Sequence, residues 1–503
     1  GGLLGLLAAG TVSDSFWDTQ TSGQTNSAAG TGKTTAEMMS LSTFSNWDIT
    51  STPSASASAP TNTWFIFENG TRPMLMSEYS TNITNTHQLQ LMGTTLGANY
   101  TLANDIDFAS AMLNKGEVWG TQAGLIGAGF APIGGGANVN FSGTNPAFTG
   151  SFDGQGHVIS NLYINNQQSY ALNYFNSYYD WMTHRQSFGL FGDISNATIK
   201  NVTLNTPSIS GYKEYLESMI FDPHYIGTIA GRDLGSSSIQ NIIVNGGSVD
   251  GYDYLYGRTE ANVGGILGQG TGTTLSNIIV NNMAVTEDQV IYGYNIAGYT
   301  GGIVGKITNG TLTYLSNNNS STTALFSSTG GIAGSATDTT ISNVYNTGTV
   351  TSTDPYRPVD TYTGGLIGKL DGNSLLTTSY NTGAVVISSN QAQYSGGLVG
   401  MNDVGSTVTQ SYNSGFLTSD LLFPNAGSGA LVGINEGTVS NSFFDDLMFY
   451  TWGLTGSAIG SGSGTSSYNY GGCFNNANCI SSANNVDLSL KSTYTTDLAN
   501  AGG

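Results

Sequence analysis

The chain has 503 residues, of which only 9% are charged, and its 12 Lys and Arg against 32 Asp and Glu give a net charge of −20. No basic stripe exists to neutralise phosphates, so nucleic acid is excluded as an expected partner. No run of about 20 apolar residues is present, so direct insertion into a membrane is not expected either. The acidic, lysine-poor composition, rich in Gly, Ser, Thr and Asn, predicts an extracellular protein.

The first 80 residues predict the end of one repeat array. The stretch "GTVSDSFWDT" at 10–19 matches "GTVSNSFFDD" at 437–446, and "LKSTYTTDLANAGG" at 490–503 resembles "MSLSTFSNWDIT" at 39–50. We therefore expect residues 1–80 to be the closing coil and tail of a preceding array, and the parent chain to repeat this unit. The alternative is a parent with two unequal arrays and no long-range period.

The stretch "GTGKTT" at 30–35 is similar to the end of a nucleotide-binding P-loop. The motif requires a glycine where Ser27 stands, and it follows a buried strand, whereas the residues before it are polar. Thr34 and Glu37 have the spacing of a capping box. The stretch therefore predicts a turn into a short capping helix rather than a nucleotide site.

Residues 81–147 predict the opening and capping segment of the next array. Within it, "NTHQLQLMGTTLG" is typical of a short amphipathic helix with Leu89, Met92 and Leu96 on one face.

Residues 148–447 carry a repeated pair of phrases. A glycine phrase of the type "GGIVG" begins at 227, 264, 301, 330, 364, 396 and 429, with a related "FGLFG" at 188. Each is followed by a short β-branched phrase such as "SIQNIIV" or "TISNVYNTGTV". Self-similarity at a period of about 33 residues indicates a solenoid. Short runs bounded by Gly and Asn indicate that its coils are built of strands.

A parallel β-helix, an all-β solenoid, satisfies this pattern because its coils stack at about 4.8 Å and align equivalent side chains in columns. The apolar residue of each glycine phrase should fill the interior, in a column formed by Ile266, Ile303, Ile332, Leu366 and Leu398. Asparagines recurring at one place should form a hydrogen-bonded ladder at a turn; they are Asn201, Asn241, Asn277 and Asn343.

The pair "GGLVG…SYNTG" resembles the GLUG repeat of bacterial surface and secreted proteins, including filamentous-haemagglutinin-like adhesins. The resemblance covers residues 188–447 and again 1–19, and "GSFDGQGHVISNLYIN" at 150–165 resembles the segment that often opens such arrays. It implies a right-handed β-helix on a cell surface, with short capping helices over coil edges that would otherwise invite aggregation.

Two tyrosine-rich insertions, at 165–187 and 211–225, are expected to protrude from the coils. Residues 448–503 predict a Gly/Ser-rich closing tail. Within that tail, Cys473 and Cys479 form an even pair in a small polar loop, which favours a local disulfide. A zinc half-site is the alternative, although no histidine lies near.

No catalytic, cofactor-binding or metal-binding constellation is predicted. The four histidines form no H-E-x-x-H motif; they are His87, His157, His184 and His224. A glycosidase needs two carboxyl groups about 5 to 10 Å apart on one face. The candidates are Asp105 with Asp107, Asp153, Asp233, Asp403, and Asp445 with Asp446. Calcium at turn carboxylates is conceivable, but no calcium-loop motif is present.

Three functions follow in order of preference. The first is a non-catalytic structural protein, a segment of a long extracellular fibre or adhesin that self-assembles end to end and needs no cofactor. Its partners would be neighbouring arrays or subunits, and also surface glycans or receptors on a host or partner cell. The second is a carbohydrate-active β-helix enzyme, and the third is a glycan-binding module that uses the tyrosines of the insertions.

Overall fold

The computed structural model describes the chain except for residues 122–126, 136–145, 166–186, 212, 215–223, 256–259, 292–297, 326, 355–360, 390–393, 420–426, 446–456, 468–469, 474–485 and 488–503. Most of both predicted insertions, together with His184, Asp446 and Cys479, lies outside the described residues. The predicted disulfide therefore stays a prediction.

The chain folds as a parallel β-helix, as the repeats predict. One coil shows the plan: strands Thr274–Asn281, Ala284–Ile291, Gly298–Gly301 and Val304–Thr308 follow one another around the axis. The next strand, Thr311–Asn318, then lies directly above the first, with Thr274 opposite Thr311 and Asn281 opposite Asn318. Repetition of this turn builds four parallel sheets, named I to IV in the order in which a coil passes through them.

Sheet I is the longest, with twenty strands among the described residues. Its strands are Asn82–Ile83, Asn99–Leu102, Ile106–Asp107, Ser151–Asp153, Val158–Ser160, Thr198–Asn205, Ser238–Asn245, Thr274–Asn281, Thr311–Asn318, Thr340–Ser342, Tyr345–Asn346, Leu375–Thr377, Tyr380–Asn381, Thr407–Thr409, Tyr412–Asn413, Thr438–Ser440, Phe443–Asp445, Thr465–Ser467, Tyr470–Cys473 and Val486–Asp487. The stacking thus extends beyond residues 148–447 in both directions.

The other three sheets have shorter strands. Sheet II comprises Tyr163–Asn165, Ser208–Ser210, Lys213–Glu214, Ser248–Leu255, Ala284–Ile291, Ser321–Leu325, Thr349–Asp354, Val385–Ser389 and Leu417–Ser419. Sheet III comprises Ser187–Phe188, His224–Ile226, Ala261–Gly264, Gly298–Gly301, Ser327–Gly330, Tyr362–Gly364, Tyr394–Gly396 and Gly427–Gly429. Sheet IV comprises Phe191–Ile194, Ala230–Asp233, Leu267–Thr271, Val304–Thr308, Ala333–Thr337, Ile367–Asp371, Val399–Asn402, Val432–Asn435 and Ile459–Ser461.

The glycine phrase forms the sharp bend between sheets III and IV. Ile266, Ile303, Ile332, Leu366 and Leu398 are fully buried. The amide of each of the first four donates to the carbonyl of the next, at 2.8 to 3.1 Å. Glycine is required because the two sheets approach closely: a Cβ on Gly305, in sheet IV, would lie 2.7 Å from the backbone nitrogen of Val263, in sheet III. The need for an apolar residue in the interior and for glycine at the close approach together explain why the glycine phrase recurs in each coil.

The recurring asparagines mark a corner in sheet I. Asn201, Asn241 and Asn277 have φ of 54 to 56°, in the left-handed region that Asn tolerates better than most residues. The Asn241 amide donates to Asn201 at 2.8 Å, and that of Asn277 donates to Asn241 at 3.1 Å. Register places Tyr314 next, between Asn277 and Asn343. The predicted ladder therefore forms over three coils but does not run directly on to Asn343.

A second, buried ladder lies one corner further on. It comprises Asn317, Asn346, Asn381 and Asn413, joined by side-chain hydrogen bonds of 3.0 Å. The amide of Asn346 also donates to the carbonyl of Gly348 and its oxygen accepts from that residue's N–H, so it closes the turn of its own coil. The sequence analysis did not single out this column.

The first 130 residues carry most of the helices. Short α-helices span Thr19–Ser22, Thr35–Met38, Thr86–Leu91 and Ala109–Met112, and 3₁₀ turns span Leu41–Phe44, Met76–Glu78 and Met92–Thr94. Strands Phe16–Asp18 and Thr31–Lys33 pair in parallel, and Ile49–Thr50, Trp64–Phe65 and Met74–Leu75 form a small sheet. Leu89, Met92 and Leu96 are buried against the first coils, as the amphipathic pattern predicts.

Candidate functional site: the joint between the first coil and the β-helix

Residues 14–18 adopt the local structure of part of a β-helix coil. Asp14 has φ of 45°, and Asn441, its counterpart in the matching stretch, has φ of 48°. Strand Phe16–Asp18 pairs with Thr31–Lys33 just as Phe443–Asp445 pairs with Tyr470–Cys473 further along the chain. From Asp14 to Asp18 the sequence match is therefore also a match of backbone conformation, whereas Thr438–Ser440 form a strand that residues 11–13 do not.

A buried ion pair connects this coil to the array that follows. Arg72 Nη2 donates to Asp18 Oδ2 at 2.6 Å, and the two side chains are only 11% and 7% exposed. The same guanidinium donates to the carbonyl oxygens of Glu117 and Lys115. One side chain thus binds the first coil to the loop at residues 115–117.

Asp18 is held ionised by its surroundings. Burial alone would raise the pKa of Asp18, but hydrogen bonds from Arg72, the Thr21 amide and the Thr35 hydroxyl outweigh it and leave the pKa below the usual value. Its Oδ1 also caps the helix Thr19–Ser22 by accepting from the amides of Gln20 and Thr21. The carboxylate therefore serves both as helix cap and as partner of Arg72.

A second polar contact lies nearby, at His87. Nδ1 of this ring is 2.7 Å from Glu78 and Nε2 is 3.0 Å from Glu117. Burial alone would lower the pKa of His87. The hydrogen bonds to Glu117 and Glu78 outweigh this effect, so that the pKa lies above its ordinary value. The ring links the 3₁₀ turn Met76–Glu78 to the loop bound by Arg72.

Aromatic rings fill the space between the first coil and the tail. Phe44 contacts Phe16 edge to face at 5.4 Å between ring centroids, and it contacts Trp47 at 4.8 Å. Trp47 contacts Trp64 at 4.9 Å. Aromatic pairs at such distances contribute roughly 0.5–1.5 kcal/mol each beyond area burial. The joint is a packed structure and not an extended linker.

The P-loop-like stretch lies inside this joint. The predicted capping box is confirmed, because the Thr34 side chain accepts from the Glu37 amide and the Glu37 side chain accepts from the Thr34 amide. The predicted turn before it is wrong in one respect, since Thr31–Lys33 form a strand on the first coil. Lys33 Nζ lies 3.3 Å from Glu37, in an exposed pair.

The carboxylates considered for catalysis take part in local bonds. Asp105 contacts His157 at 3.0 Å, and Asp107 accepts from Asn161 at 2.7 Å. Asp153 lies 3.3 Å from Lys200. Asp233 is buried and accepts from Ser237 and Thr273. Asp403 lies 3.7 Å from Lys369, and Asp445 is buried at the end of its strand.

The remaining histidines also have structural contacts. His224 is buried with its ring against that of Phe188. In the part of the chain that the structure describes, no three His, Cys, Asp or Glu side chains converge as metal ligands would. Nor does any described helix have the length and apolar character needed to cross a bilayer.

Two functional features were missed from the sequence. Arg72, in "NGTRPML", belongs to no recognisable motif. The available signal was its rarity, because it is one of only 12 basic residues and its neighbours in this stretch are uncharged. The tyrosines of "VYNTG", "SYNTG" and "SYNSG" recur in register, and that recurrence could have indicated a column of rings on the surface.

Comparison with known proteins gives limited similarity. No protein-family profile matches the sequence. Halomucin from Haloquadratum walsbyi is 29% identical over 181 residues, which is 36% of this chain and 1% of that protein. The chain thus spans about 1% of the length of this relative. A solved structure from Bacteroides ovatus, of a protein to which an immunoglobulin A1 protease function has been ascribed, has a TM-score of 0.35 and 18% identity, covering 80% of this chain and 85% of that one.

Proposed function

We propose that the protein is a non-catalytic, extracellular structural element in which successive β-helical arrays are joined into a fibre or adhesin at the cell surface. The observation that carries this proposal is the Asp18–Arg72 pair. It binds a coil that has the local structure of residues 441–445 to the opening of the next array through a buried, geometrically fixed contact. A joint of this kind holds two arrays in a set orientation.

The surface of the first coil supports the choice of partner. Leu6 is 80% exposed and Val12 is 36% exposed, whereas Val439, the counterpart of Val12, is fully buried between neighbouring coils. Unpaired coil edges with apolar side chains favour association with other coils. We infer that the partner of this edge is another array of the same architecture.

The extracellular location rests on the acidic, lysine-poor composition and on the similarity of part of the chain to a protein named as a mucin. The carbohydrate-active enzyme remains the second candidate. The carboxylates weighed for it from the sequence do not support it, because they cap turns or pair with local donors.

Association of the 503-residue chain tests the proposal. Sedimentation velocity over a range of concentrations, with electron microscopy, should show end-to-end assemblies of rods. The double variant Leu6→Asp with Val12→Asp should remain monomeric, because the carboxylates would have to be buried at the interface.

The matched control places the same change on the flank of the β-helix. Ile279 is 38% exposed and Val404 is 70% exposed, so that Ile279→Asp with Val404→Asp should leave assembly unchanged. Monomers at every concentration in the unaltered chain, or depolymerisation of a polysaccharide by the purified protein, would contradict the proposal.

A further inference from the structure

One tyrosine protrudes from sheet I at a corner where the neighbouring coils carry asparagine. Tyr314 is 58% exposed and has φ of 58°, in the left-handed region. A bulky side chain rarely adopts this conformation, because its Cβ crowds the following carbonyl oxygen. Asn277 and Asn343, on either side of it in the column, adopt the same backbone with a residue type that tolerates it. Folding alone therefore favours Asn at position 314, and the exposed ring requires another explanation.

A groove lies on the same outer face, further along the rod. It has a volume of about 370 Å³ and is lined on one side by Thr378 and Gln410, in the column of Tyr314, and on the other by Tyr380 and Tyr412. The rings of these two tyrosines stack at 5.0 Å between centroids, with 5° between their planes. Stacking along the column covers the ring faces, so the groove presents ring edges.

Ring edges are a preferred contact for the face of another ring. The edge of an aromatic ring is positive and its face is negative, so aromatic pairs favour edge-to-face arrangements. A groove walled by ring edges therefore favours an aromatic side chain that enters with its face toward the wall. Pockets of this size accommodate small-molecule ligands, so there is room for one such side chain.

The outer face that carries Tyr314 and the groove is uncharged, although the chain as a whole has a net charge of −20. The described strands of sheet I from Thr311 to Asn413 contain only Thr, Ser, Asn, Leu, Ile, Val and Tyr. Two copies of an acidic protein repel each other least where neither presents charge. This face is therefore the one that a second copy of the chain can approach most closely.

Tyr314 and the groove are spaced so that two copies can fill each other's grooves. Register places Asn343, Thr378 and Gln410 on the three coils that follow Tyr314, at steps of about 4.8 Å. A two-fold axis across the sheet, between the coils of Asn343 and Thr378, reverses the direction of the second rod. It brings Tyr314 of each copy opposite Gln410 of the other, beside the groove. One operation thus makes both contacts, as in an isologous interface.

We propose that two copies of the chain pair side by side and antiparallel through this face, with Tyr314 of each inserted in the groove of the other. Twist of the sheets confines the contact to the coils nearest the two-fold axis. The eight-residue width of strand Thr311–Asn318 and four coils give about 26 by 19 Å, or roughly 500 Å² per copy.

This area makes the pairing of single chains weak. A total of about 1,000 Å² lies at the lower limit for a specific interface, so that single chains stay separate at micromolar concentrations. Pairing becomes stronger where arrays are joined into a fibre, because every array adds a contact. Only this last step rests on the proposed end-to-end assembly.

Small-angle X-ray scattering of the 503-residue chain tests the pairing. The chain carries Leu6→Asp with Val12→Asp, which alter the first coil and not this face, so the result does not depend on whether chains also join end to end. It is measured up to about 1 mM in about 1 M NaCl, which screens the net charge. The mass should rise toward that of a dimer with a Kd of about 1 mM or tighter, and the cross-section of the particle should widen.

Two variants of this chain address the two halves of the contact. Tyr314→Asn removes the ring and should weaken pairing by about tenfold or more, as loss of a central aromatic anchor does. It should also raise the midpoint of thermal unfolding, because Asn suits the left-handed corner, so that a damaged fold cannot explain the loss. Gln410→Trp fills the groove from an exposed corner of the same backbone type and should abolish pairing. Tyr394→Ala, in the stacked pair on sheet III, is the matched control and should leave the Kd unchanged.

A mixture of the two variants separates specific insertion from a general effect on the surface. A chain with Tyr314→Asn retains its groove, and a chain with Gln410→Trp retains Tyr314, so a mixed pair keeps one of the two insertions. Equimolar mixing should therefore restore part of the pairing that each variant lacks alone. A parent chain that stays monomeric at about 1 mM, unchanged pairing in Tyr314→Asn, or no recovery on mixing would overturn the proposal.

Discussion

The contact between Asp18 and Arg72 is the single pair on which the joint depends most. Removing one member of a buried ion pair leaves the other charged and unpaired, which destabilises by about 3–5 kcal/mol. We expect Arg72→Ala to open the first coil locally, since Lys115 and Glu117 lose their donor as well. Hydrogen exchange of residues 16–18 and 31–33 should accelerate while exchange in the middle of the array stays unchanged.

The control for Arg72→Ala is Lys33→Ala in the same joint. Its pair with Glu37 is exposed, and such pairs contribute about 0–1 kcal/mol. Equal exchange rates in the two variants would show that Arg72 is not the connection between the first coil and the array.

His87 gives the joint a dependence on pH. Its pKa is raised in the folded protein, so its contribution to stability is complete below about 6.5, the ordinary pKa, and is lost as pH rises through the folded value. Because the partners are partly exposed, we expect a loss on the order of 0.5 kcal/mol. Thermal unfolding between pH 5.5 and 8.5 should show this decline, and His87→Gln should remove it. A decline of the same size in His87→Gln would assign it to other groups.

At the scale of elements, the asparagine ladders of the β-helix differ in their exposure. Asn346 makes four hydrogen bonds inside the β-helix, to Asn317, Asn381 and both backbone groups of Gly348. Asn346→Ala leaves several buried groups without partners, and we expect destabilisation of about 3 kcal/mol, since one such group is unfavourable by roughly 1–3 kcal/mol. Guanidinium unfolding and hydrogen exchange of the neighbouring coils measure it.

A third ladder, which is half-exposed, supplies the comparison: side-chain hydrogen bonds of 2.9 to 3.0 Å join Asn205, Asn245, Asn281 and Asn318 along sheet I. Asn245 donates to Asn205 and accepts from Asn281 in the same geometry, but water can replace it there. Asn245→Ala should therefore cost less than about 1 kcal/mol. A similar loss in both variants would mean that the ladders stabilise through coil geometry rather than through burial of their amides.

The elements could be predicted from the sequence where one physical requirement acts in every coil. The bend between sheets III and IV needs glycine and an apolar residue each time, and so Ile303 and Leu366 were recognisable. The corner at Asn201 and Asn241 tolerates other residues, and Tyr314, Thr378 and Gln410 adopt the same backbone without a shared side chain. The ion pair of the joint could not be predicted from the sequence. Asp18 and Arg72 are 54 residues apart in the chain, and the packing that brings them together is not encoded in any local pattern.

At the scale of the whole molecule, acidic residues far outnumber the basic residues that could neutralise them. Several described cations already have carboxylate partners, among them Arg72, Arg232, Lys306 and Lys369. The remaining acidic groups repel one another over the length of the rod. One such pair is visible on sheet II, where burial and then the nearby Asp288 raise the pKa of Asp250.

Salt should therefore stabilise the protein. Raising NaCl from 0.1 M to 1 M shortens the screening length from about 10 Å to about 3 Å, which weakens repulsion between separate acidic groups more than it weakens the short, partly buried ion pairs. The midpoint of thermal unfolding should rise with salt at pH 7, and by less in Asp288→Asn, which relieves one repulsion.

The same titration at pH 4, near the pI of 4.2, is the control, because the net charge that salt screens is then small. A midpoint that rises equally at both pH values would point to strengthened apolar burial rather than charge screening. A midpoint that falls with salt at pH 7 would show that the ion pairs of the joint and the sheet III–IV corner outweigh the repulsion of the whole chain.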